Sequence, residues 1–464
     1  MSPSPDRVLR SRRVVLPGLV RPACVVVHQG RIAAIAPWDE PLRVTDELGE
    51  LALLPGLVDT HVHVNEPGRT DWEGFTTATR AAAAGGITTL VDMPLNSVPA
   101  TTSAAALREK VRAMPRQLHV DVGLWGGVVP GNAGELEALA AAGALGFKCF
   151  LSPSGVDEFA HVSQADLQVA APVLARLGLP LLAHAEDPAR LRALPSSTRR
   201  YADWLASRPP EAEASAIAML ARLAAAHGLR VHVVHVASAA AVAALREGAR
   251  ALRAAGVAGG LLSGETCPHY LVFAAEEIAD GATAFKCAPP IRERRERDAL
   301  RSALLEAQLD LVASDHSPCP PTLKDPEGGD FAKAWGGITS LEVALSATWS
   351  ALAPLGATLE DVALWMSGAP AHLAGLRLHK GAIAAGQDAD LVAFDPEATW
   401  TPEPAMLLQR HRLTPYTGRP LRGRVLTTWL RGEPAFAAGA ILGEPAGRWL
   451  RRGAQAVDPA QAFA

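Results

Sequence analysis

Leu53-Leu54-Pro55-Gly56-Leu57-Val58-Asp59-Thr60-His61-Val62-His63 is an apolar, strand-like run that closes on two histidines one residue apart. Side chains alternate faces along a strand, so His61 and His63 point the same way, with Asp59 behind them. Two imidazoles at one strand end make half a metal site. A lone His-x-His is common on protein surfaces, so its weight depends on the rest of the chain. Seven more short apolar runs come after it, giving candidate strands at Leu54–His63, Ile87–Met93, Leu118–Gly123, Gly146–Leu151, Leu181–Ala185, Arg230–Val236, Gly260–Thr266 and Leu309–Ser314. They alternate with Ala/Leu/Arg-rich stretches of helical character, the pattern of βα units around a parallel sheet. The spacing predicts a TIM-like (β/α)8 barrel within an α/β chain. An open doubly wound sheet is the alternative, but no Gly-x-Gly-x-x-Gly follows the first strand. After that strand, Thr70-Asp71-Trp72-Glu73 offers a capping box, and Gly85-Gly86 a helix stop.

Both chain ends have a different texture. Cys24–His28, a turn at Gln29-Gly30 and Arg31–Ile35 read as a hairpin. Gly381–Ile383, Asp390–Phe394 and Leu421–Gly432 return to the same β-rich character near the other end. The expected organisation is a small composite β-sandwich built from residues 1–54 and 374–464, enclosing a barrel over 55–373.

Composition narrows the function. The chain has 464 residues, 49% hydrophobic and 20% charged, with a formal net charge of −4. Mild acidity and 5% aromatic content give no footing for nucleic acid or an anionic membrane. The run Arg292-Glu293-Arg294-Arg295-Glu296-Arg297 is expected to be a solvated helix face. Five scattered cysteines without a Cys-x-x-Cys fit reduced thiols and a cytoplasmic location. Arg12-Arg13 is followed by Pro17, Gly18 and Arg21, which interrupt any signal-like apolar stretch, and no run is long enough to span a membrane.

In a barrel, reactive residues sit at the C-terminal ends of strands. The first strand ends in His61 and His63, the fourth carries Lys148, the fifth His184, the sixth His232 and His235, and the eighth ends in Asp315. Taken singly, His184 is an ordinary barrel histidine and Asp315 a helix N-cap. Lys148 is harder to dismiss, because a buried ammonium must be neutralised or paired. Parity puts His232 and His235 on opposite faces. His235 lies nearer the strand end and is the candidate ligand, while His232 is expected to face the helix layer. Four imidazoles, a carboxylate and a lysine exceed what one tetrahedral zinc needs. They suit two divalent metals about 3.5–4 Å apart. Zinc, cobalt and manganese all accept such ligands. Carboxylation of Lys148 by CO2 would give a carbamate, the anionic bridge such a pair otherwise lacks.

The set Asp59-x-His61-x-His63, Lys148, His184, His235 and Asp315 resembles the amidohydrolase superfamily in its cyclic amidohydrolase branch, which includes dihydroorotases, hydantoinases/dihydropyrimidinases and allantoinases. The resemblance covers nearly the whole chain. It implies that His61 and His63 bind the more buried metal, His184 and His235 the other, that carboxylated Lys148 bridges both, and that Asp315 binds the first metal and acts as general base towards a bridging hydroxide. Relatives are commonly tetramers, which implies a homo-oligomer. Within the branch, the loops Val64–Phe75 and Gly85–Ser97, with Cys267–Leu271, Lys286–Arg292 and Trp335–Ile338, closely resemble those of allantoinases. Dihydroorotases place an arginine two residues after the second histidine; here Asn65 stands there, so a carboxylate clamp is missing. The direction of nearby Arg69 is open. Hydantoinases usually carry a tyrosine soon after the bridging lysine, where this chain has Phe150, Leu151 and Ser152. A polar, uncharged pocket would suit allantoin, a neutral cyclic ureide, with Asn96 as a candidate contact. The resemblance adds Ser152, Cys287 and Gly337 as backbone contacts. It implies hydrolysis of allantoin to allantoate. The alternatives are a hydantoinase/dihydropyrimidinase or dihydroorotase-like enzyme and, outside enzymes, a metal-free dihydropyrimidinase-like scaffold. Cys149 and Cys287 are expected to be packing residues, and the 320–329 segment a mobile loop near the site.

Overall fold

The computed structural model describes residues 5–114, 118–256 and 261–452. The expected strand start at Gly260 and residues 453–464 of the C-terminal segment lie outside the described residues.

The chain begins with four strands: β1 (Arg7–Leu16), β2 (Leu19–His28), β3 (Arg31–Pro37) and β4 (Asp46–Pro55). β2 and β3 form the expected hairpin. His28 pairs with Arg31, and Gln29 and Gly30 take φ of 51° and 74°, the two positive values a tight hairpin turn needs. At Gly56 the chain leaves this sheet and enters the barrel. A side chain there would put its Cβ 2.9 Å from that of Asp390, so the crossing requires glycine.

The barrel strands are β5 (Leu57–Val62), β6 (Ile87–Asp92), β7 (Asp121–Leu124), β8 (Gly126–Gly127), β9 (Phe147–Phe150), β10 (Leu181–His184), β11 (Val231–Val233), β12 (Leu262–Thr266) and β13 (Leu311–Val312). They pair in parallel as β5-β6-β7 and as β8 through β13. β7 and β8 form one stave interrupted at Trp125, whose buried indole donates to Thr60 O at 2.8 Å. The ring closes where His63 N donates to His316 O at 2.8 Å. Helices alternate with the strands, among them Phe75–Ala84, Gln164–Leu177, Pro210–His227 and Ala239–Ala254. Their ends follow local chemistry: Ser163 and Asp166 form a capping box, and Gly178 ends that helix in the left-handed region. The box expected at Thr70–Glu73 does not form. Glu73 is engaged with His316 Nε2 and the Arg410 amide, and Glu66 accepts the Phe75 amide at 2.8 Å instead. The charge run also departs from expectation. Arg292 is buried on Glu213 at 2.6 Å, and Glu296 is buried and accepts the Ala239 amide, while Arg294 and Arg295 stay exposed.

The chain returns through β14 (Leu391–Trp400), β15 (Leu421–Leu430), β16 (Glu433–Ala437) and β17 (Ala440–Ile441). These join the first four strands in one sheet, ordered β17-β16-β15-β14-β4-β1-β2-β3, with β14 antiparallel to β4. Leu9, Val25, Leu53, Leu391 and Trp429, contributed by both chain ends, form an apolar core separate from that of the barrel. Polar cross-links tie the two parts together. Lys380 Nζ lies 2.6 Å from Asp121 at the start of β7 and 2.5 Å from Asp390, and Arg431 also grips Asp121 at 2.7 Å. Three aspartates, 121, 388 and 390, converge here, and the lysine supplies the cation they need.

Candidate metal centre and active site

All five predicted strand ends meet at one mouth of the barrel. His61 Nε2 lies 3.1 Å and His63 Nε2 3.6 Å from Asp315 Oδ1, and the ligand atoms of these three all fall within 4.8 Å of one another. His184 Nδ1 and His235 Nε2 are 3.0 Å apart. The two groups are neighbours, with the His61 and His235 rings 5.4 Å between centroids. Burial holds His61 and His235 well below the ordinary histidine range, and lowers His184 against the opposing pull of Glu186. Neutral imidazoles offer lone pairs, as metal ligation demands.

Lys148 points into this group from β9. It is fully buried, its Nζ has no hydrogen-bond partner, and Phe150 lies 4.9 Å beneath it. Burial brings the amine down to about 8, against the pull of Glu265 and Asp315. An orphaned amine beside four imidazoles and a carboxylate is a donor set that fits divalent cations.

The backbone helps to aim these groups. His235 (φ 43°) and Asp315 (φ 46°) both sit just beyond their strands in the left-handed region. This overturns the parity argument for His232. β11 ends at Val233, so alternation does not extend to His235. His232 turns into the barrel rather than towards the helix layer, with Nε2 3.0 Å from Glu265 Oε2 and Nδ1 2.8 Å from Ser263 Oγ.

Glu265, on β12, does not stand out in the sequence and is central in the structure. Its Oε1 lies 2.5 Å from His61 Nδ1 while Oε2 holds His232. Glu186 does the same for His184 at 2.7 Å and is itself paired with Arg208. Carboxylates behind ligating histidines fix the tautomer that leaves the other nitrogen free. Asp59 accepts the amides of His61 and Ser314 at 3.1 and 3.2 Å, and so ties the first strand end to the eighth. A carboxylate inside a barrel strand is the signal that would have revealed Glu265, since a buried anion needs a partner as much as the Lys148 amine does.

A cavity of about 290 Å³ opens onto His61, His63, His184, His235 and Asp315. Asn96, Cys287 and Gly337 line it. Asn96 Nδ2 lies 3.4 Å from His63 Nδ1, and its Oδ1 is without a partner. Ser152 is fully buried with an unpartnered hydroxyl. Arg69 does not serve the cavity: it donates to the Asn96 carbonyl at 2.8 Å and is paired with Glu158. The pocket is nonetheless not uncharged, since Arg208, Lys286 and Lys333 line it. Burial raises the Cys149 and Cys287 thiols to about 12, in keeping with packing roles. The 320–329 segment is pinned by Lys324, whose buried ammonium donates to the carbonyls of Trp335 (3.0 Å) and Gly337.

The sequence profile of the Amidohydrolase family matches residues 52–435. The chain belongs to the amidohydrolase family. It is 50% identical to an allantoinase of Streptomyces avermitilis over 451 residues, covering 96% of this chain and 99% of that one. It is 42% identical to an allantoinase of Arabidopsis thaliana, covering 93% and 88%. Among solved structures it is similar to the L-hydantoinase (dihydropyrimidinase) of Arthrobacter aurescens, with a TM-score of 0.89, 28% identity and coverage of 97% and 100%. The dihydropyrimidinase of Brevibacillus agri is also similar, at a TM-score of 0.84, 28% identity and coverage of 96% and 98%. Barrel and accessory sheet are therefore those of a cyclic amide hydrolase. No helix among the described residues is long and apolar enough to cross a membrane.

Proposed function

We propose that this protein is an allantoinase, hydrolysing the cyclic amide of allantoin to allantoate. The observation that carries the reading is full-length identity of 50% to a named allantoinase, together with a complete set of converging donors. The complete set also weighs against a metal-free scaffold. The barrel is taken to run over 55–373, with 1–54 and 374–464 forming the sandwich. His61, His63 and Asp315 would hold one divalent cation, His184 and His235 a second, and a carboxylated Lys148 would bridge them; zinc is the first choice, with cobalt and manganese acceptable. Bound there, such cations polarise a carbonyl and make water more acidic. The protein's own part is to move the proton. The Asp315 carboxylate takes it from the attacking water and returns it to the ring nitrogen that leaves. Glu265 and Glu186 hold His61 and His184 in the ligating tautomer. Asn96, Ser152, Cys287 and Gly337 would contact the ring. A homotetramer in the cytoplasm is the assembly and setting we expect.

The second reading, a hydantoinase, is favoured only by the solved neighbours, at 28% identity. Rates on allantoin, hydantoin, a dihydropyrimidine and dihydroorotate, measured side by side, decide between them. Faster turnover of any of the last three than of allantoin would overturn the proposal.

A further inference from the structure

Lys286 has a place in the cavity that the chemistry above does not use. It is only 6% exposed, yet it lines the same cavity as the histidines and Asp315. Its Nζ makes one hydrogen bond, to Ala334 O at 2.5 Å, and rides 4.6 Å above the Trp204 ring. An ammonium carries three N–H donors. No carboxylate among the described residues forms an ion pair with it, whereas the other lining cations are taken: Arg208 by Glu186 and Lys333 by Asp330. Trp335 lines the cavity beside it, and its indole N–H is buried without an acceptor. The wall therefore carries an ammonium with N–H groups to spare and an indole N–H that has no acceptor among the described residues.

We propose that Lys286, with the indole N–H of Trp335, forms a recognition point for the ureido arm of the substrate. The proposal rests on the allantoinase reading. Allantoin is a hydantoin ring, which carries the amide to be cut, joined to a ureido group. A urea carbonyl is a strong neutral acceptor with two lone pairs, and two donors satisfy it. A carboxylate substituent, as in dihydroorotate, is recognised best by a bidentate arginine, and the arginine that lines this cavity is held by Glu186. Lys286 and Trp335 thus distinguish a ureido-bearing ring from a bare one, while the metal ligands act on the amide common to both.

The test is Lys286→Met in the full-length, metal-loaded protein, with Lys286→Gln retaining a neutral donor. The KM and kcat for allantoin are measured beside the Ki of hydantoin as a competitive inhibitor. Loss of a hydrogen bond from a charged donor corresponds to about 10- to 100-fold in affinity. The KM for allantoin is expected to rise by that factor in Lys286→Met, with a smaller rise in Lys286→Gln, and to exceed the change in hydantoin Ki by about tenfold. Trp335→Phe should show the same selectivity at about 3- to 10-fold. Equal losses on allantoin and hydantoin, unchanged allantoin kinetics, or loss of the thermal unfolding transition in both Lys286 variants would overturn the proposal. So would binding of dihydroorotate weakened more than that of allantoin, which would make Lys286 a carboxylate site. Failure of the wild type to hydrolyse allantoin is a separate result and refutes the functional reading itself.

Discussion

Replacing Glu265 by glutamine tests whether the metal centre depends on groups that never touch the metal. The carboxylate is fully buried and lies 2.5 Å from His61 Nδ1 and 3.0 Å from His232 Nε2. Both oxygens accept, so His61 must carry its proton on Nδ1. That leaves the Nε2 lone pair free on the side of Asp315, 3.1 Å away. A glutamine of the same shape has one acceptor and one donor. With its oxygen towards His61, a charge-assisted bond becomes a neutral one, at a cost of about 1 kcal/mol or more. With its amide towards His61, the imidazole must reverse its tautomer and the ligating lone pair is lost. Either way the expected loss in metal affinity is about 10- to 100-fold, the usual effect of removing a partner behind a ligating histidine. Chelator competition with direct metal analysis measures it, and kcat/KM at limiting metal should fall in parallel. Saturating metal should restore much of the activity, since substrate contacts are untouched. If Glu265→Gln folds normally and binds metal as tightly as the wild type, the claim that this carboxylate sets the His61 tautomer is wrong.

Three further outcomes are expected. Lys148→Ala should abolish metal binding and activity, with partial rescue by acetate or propionate, which supply the missing bridging carboxylate; metal content and rate with and without the acid decide it, and full activity in the variant alone removes Lys148 from the centre. Asp315→Asn should keep part of its metal and lose turnover by about 10²- to 10⁴-fold, the ordinary range for a proton-transfer group; near-normal kcat would remove it as the base. Glu342 is a structural case: burial raises its carboxyl from 4.5 to about 7, although its Oε1 accepts the Leu408 and Gln409 amides at 2.5 and 2.9 Å. The folded state then binds more protons than the unfolded one between those two values, so stability falls as pH rises through that window. Glu342→Gln keeps the acceptor without the charge. Its advantage in denaturant unfolding should be near zero at pH 4.5 and grow to on the order of 3 kcal/mol above pH 7; parallel stability curves would refute the assignment.

The barrel and its reactive end were legible because strand ends obey simple geometry. An apolar run that stops at His61-x-His63, and others that stop at His184 and Asp315, report a common mouth before any contact is known. The reading failed where regular geometry stops. His235 lies beyond β11 with φ 43°, and alternation counted through such a residue assigns the wrong face to His232. Glu73 matched a capping box by spacing, yet tertiary contacts to His316 and Arg410 claim its carboxylate. Arg292 and Glu296 lie in a run that reads as solvated, and only the packing of Glu213 and the Ala239 amide against them brings them inside. Lys286 stands out in the sequence only by family likeness, because nothing local in Lys286-Cys287-Ala288 tells that its ammonium reaches a cavity.

The buried lysines of this chain sharpen the case for Lys148 by contrast. Taking an ammonium out of water costs several kcal/mol unless partners replace the lost hydration. Lys110 meets Asp92 at 2.5 Å and the Met93 carbonyl at 3.2 Å. Lys380 is surrounded by Asp121, Asp388 and Asp390. Lys324 is met by the carbonyls of Trp335 and Gly337, and Lys286 by that of Ala334. Each of these has at least one acceptor. Lys148 is as deeply buried as any of them and its Nζ makes no hydrogen bond, with a phenyl ring beneath it and imidazoles and the carboxylates of Glu265 and Asp315 around it. Lys110, Lys324 and Lys380 show how this fold pairs a structural lysine. Burial brings the Lys148 amine down to about 8, which leaves more free base at neutral pH than an ordinary lysine has, and the proposed reaction with CO2 requires that free base.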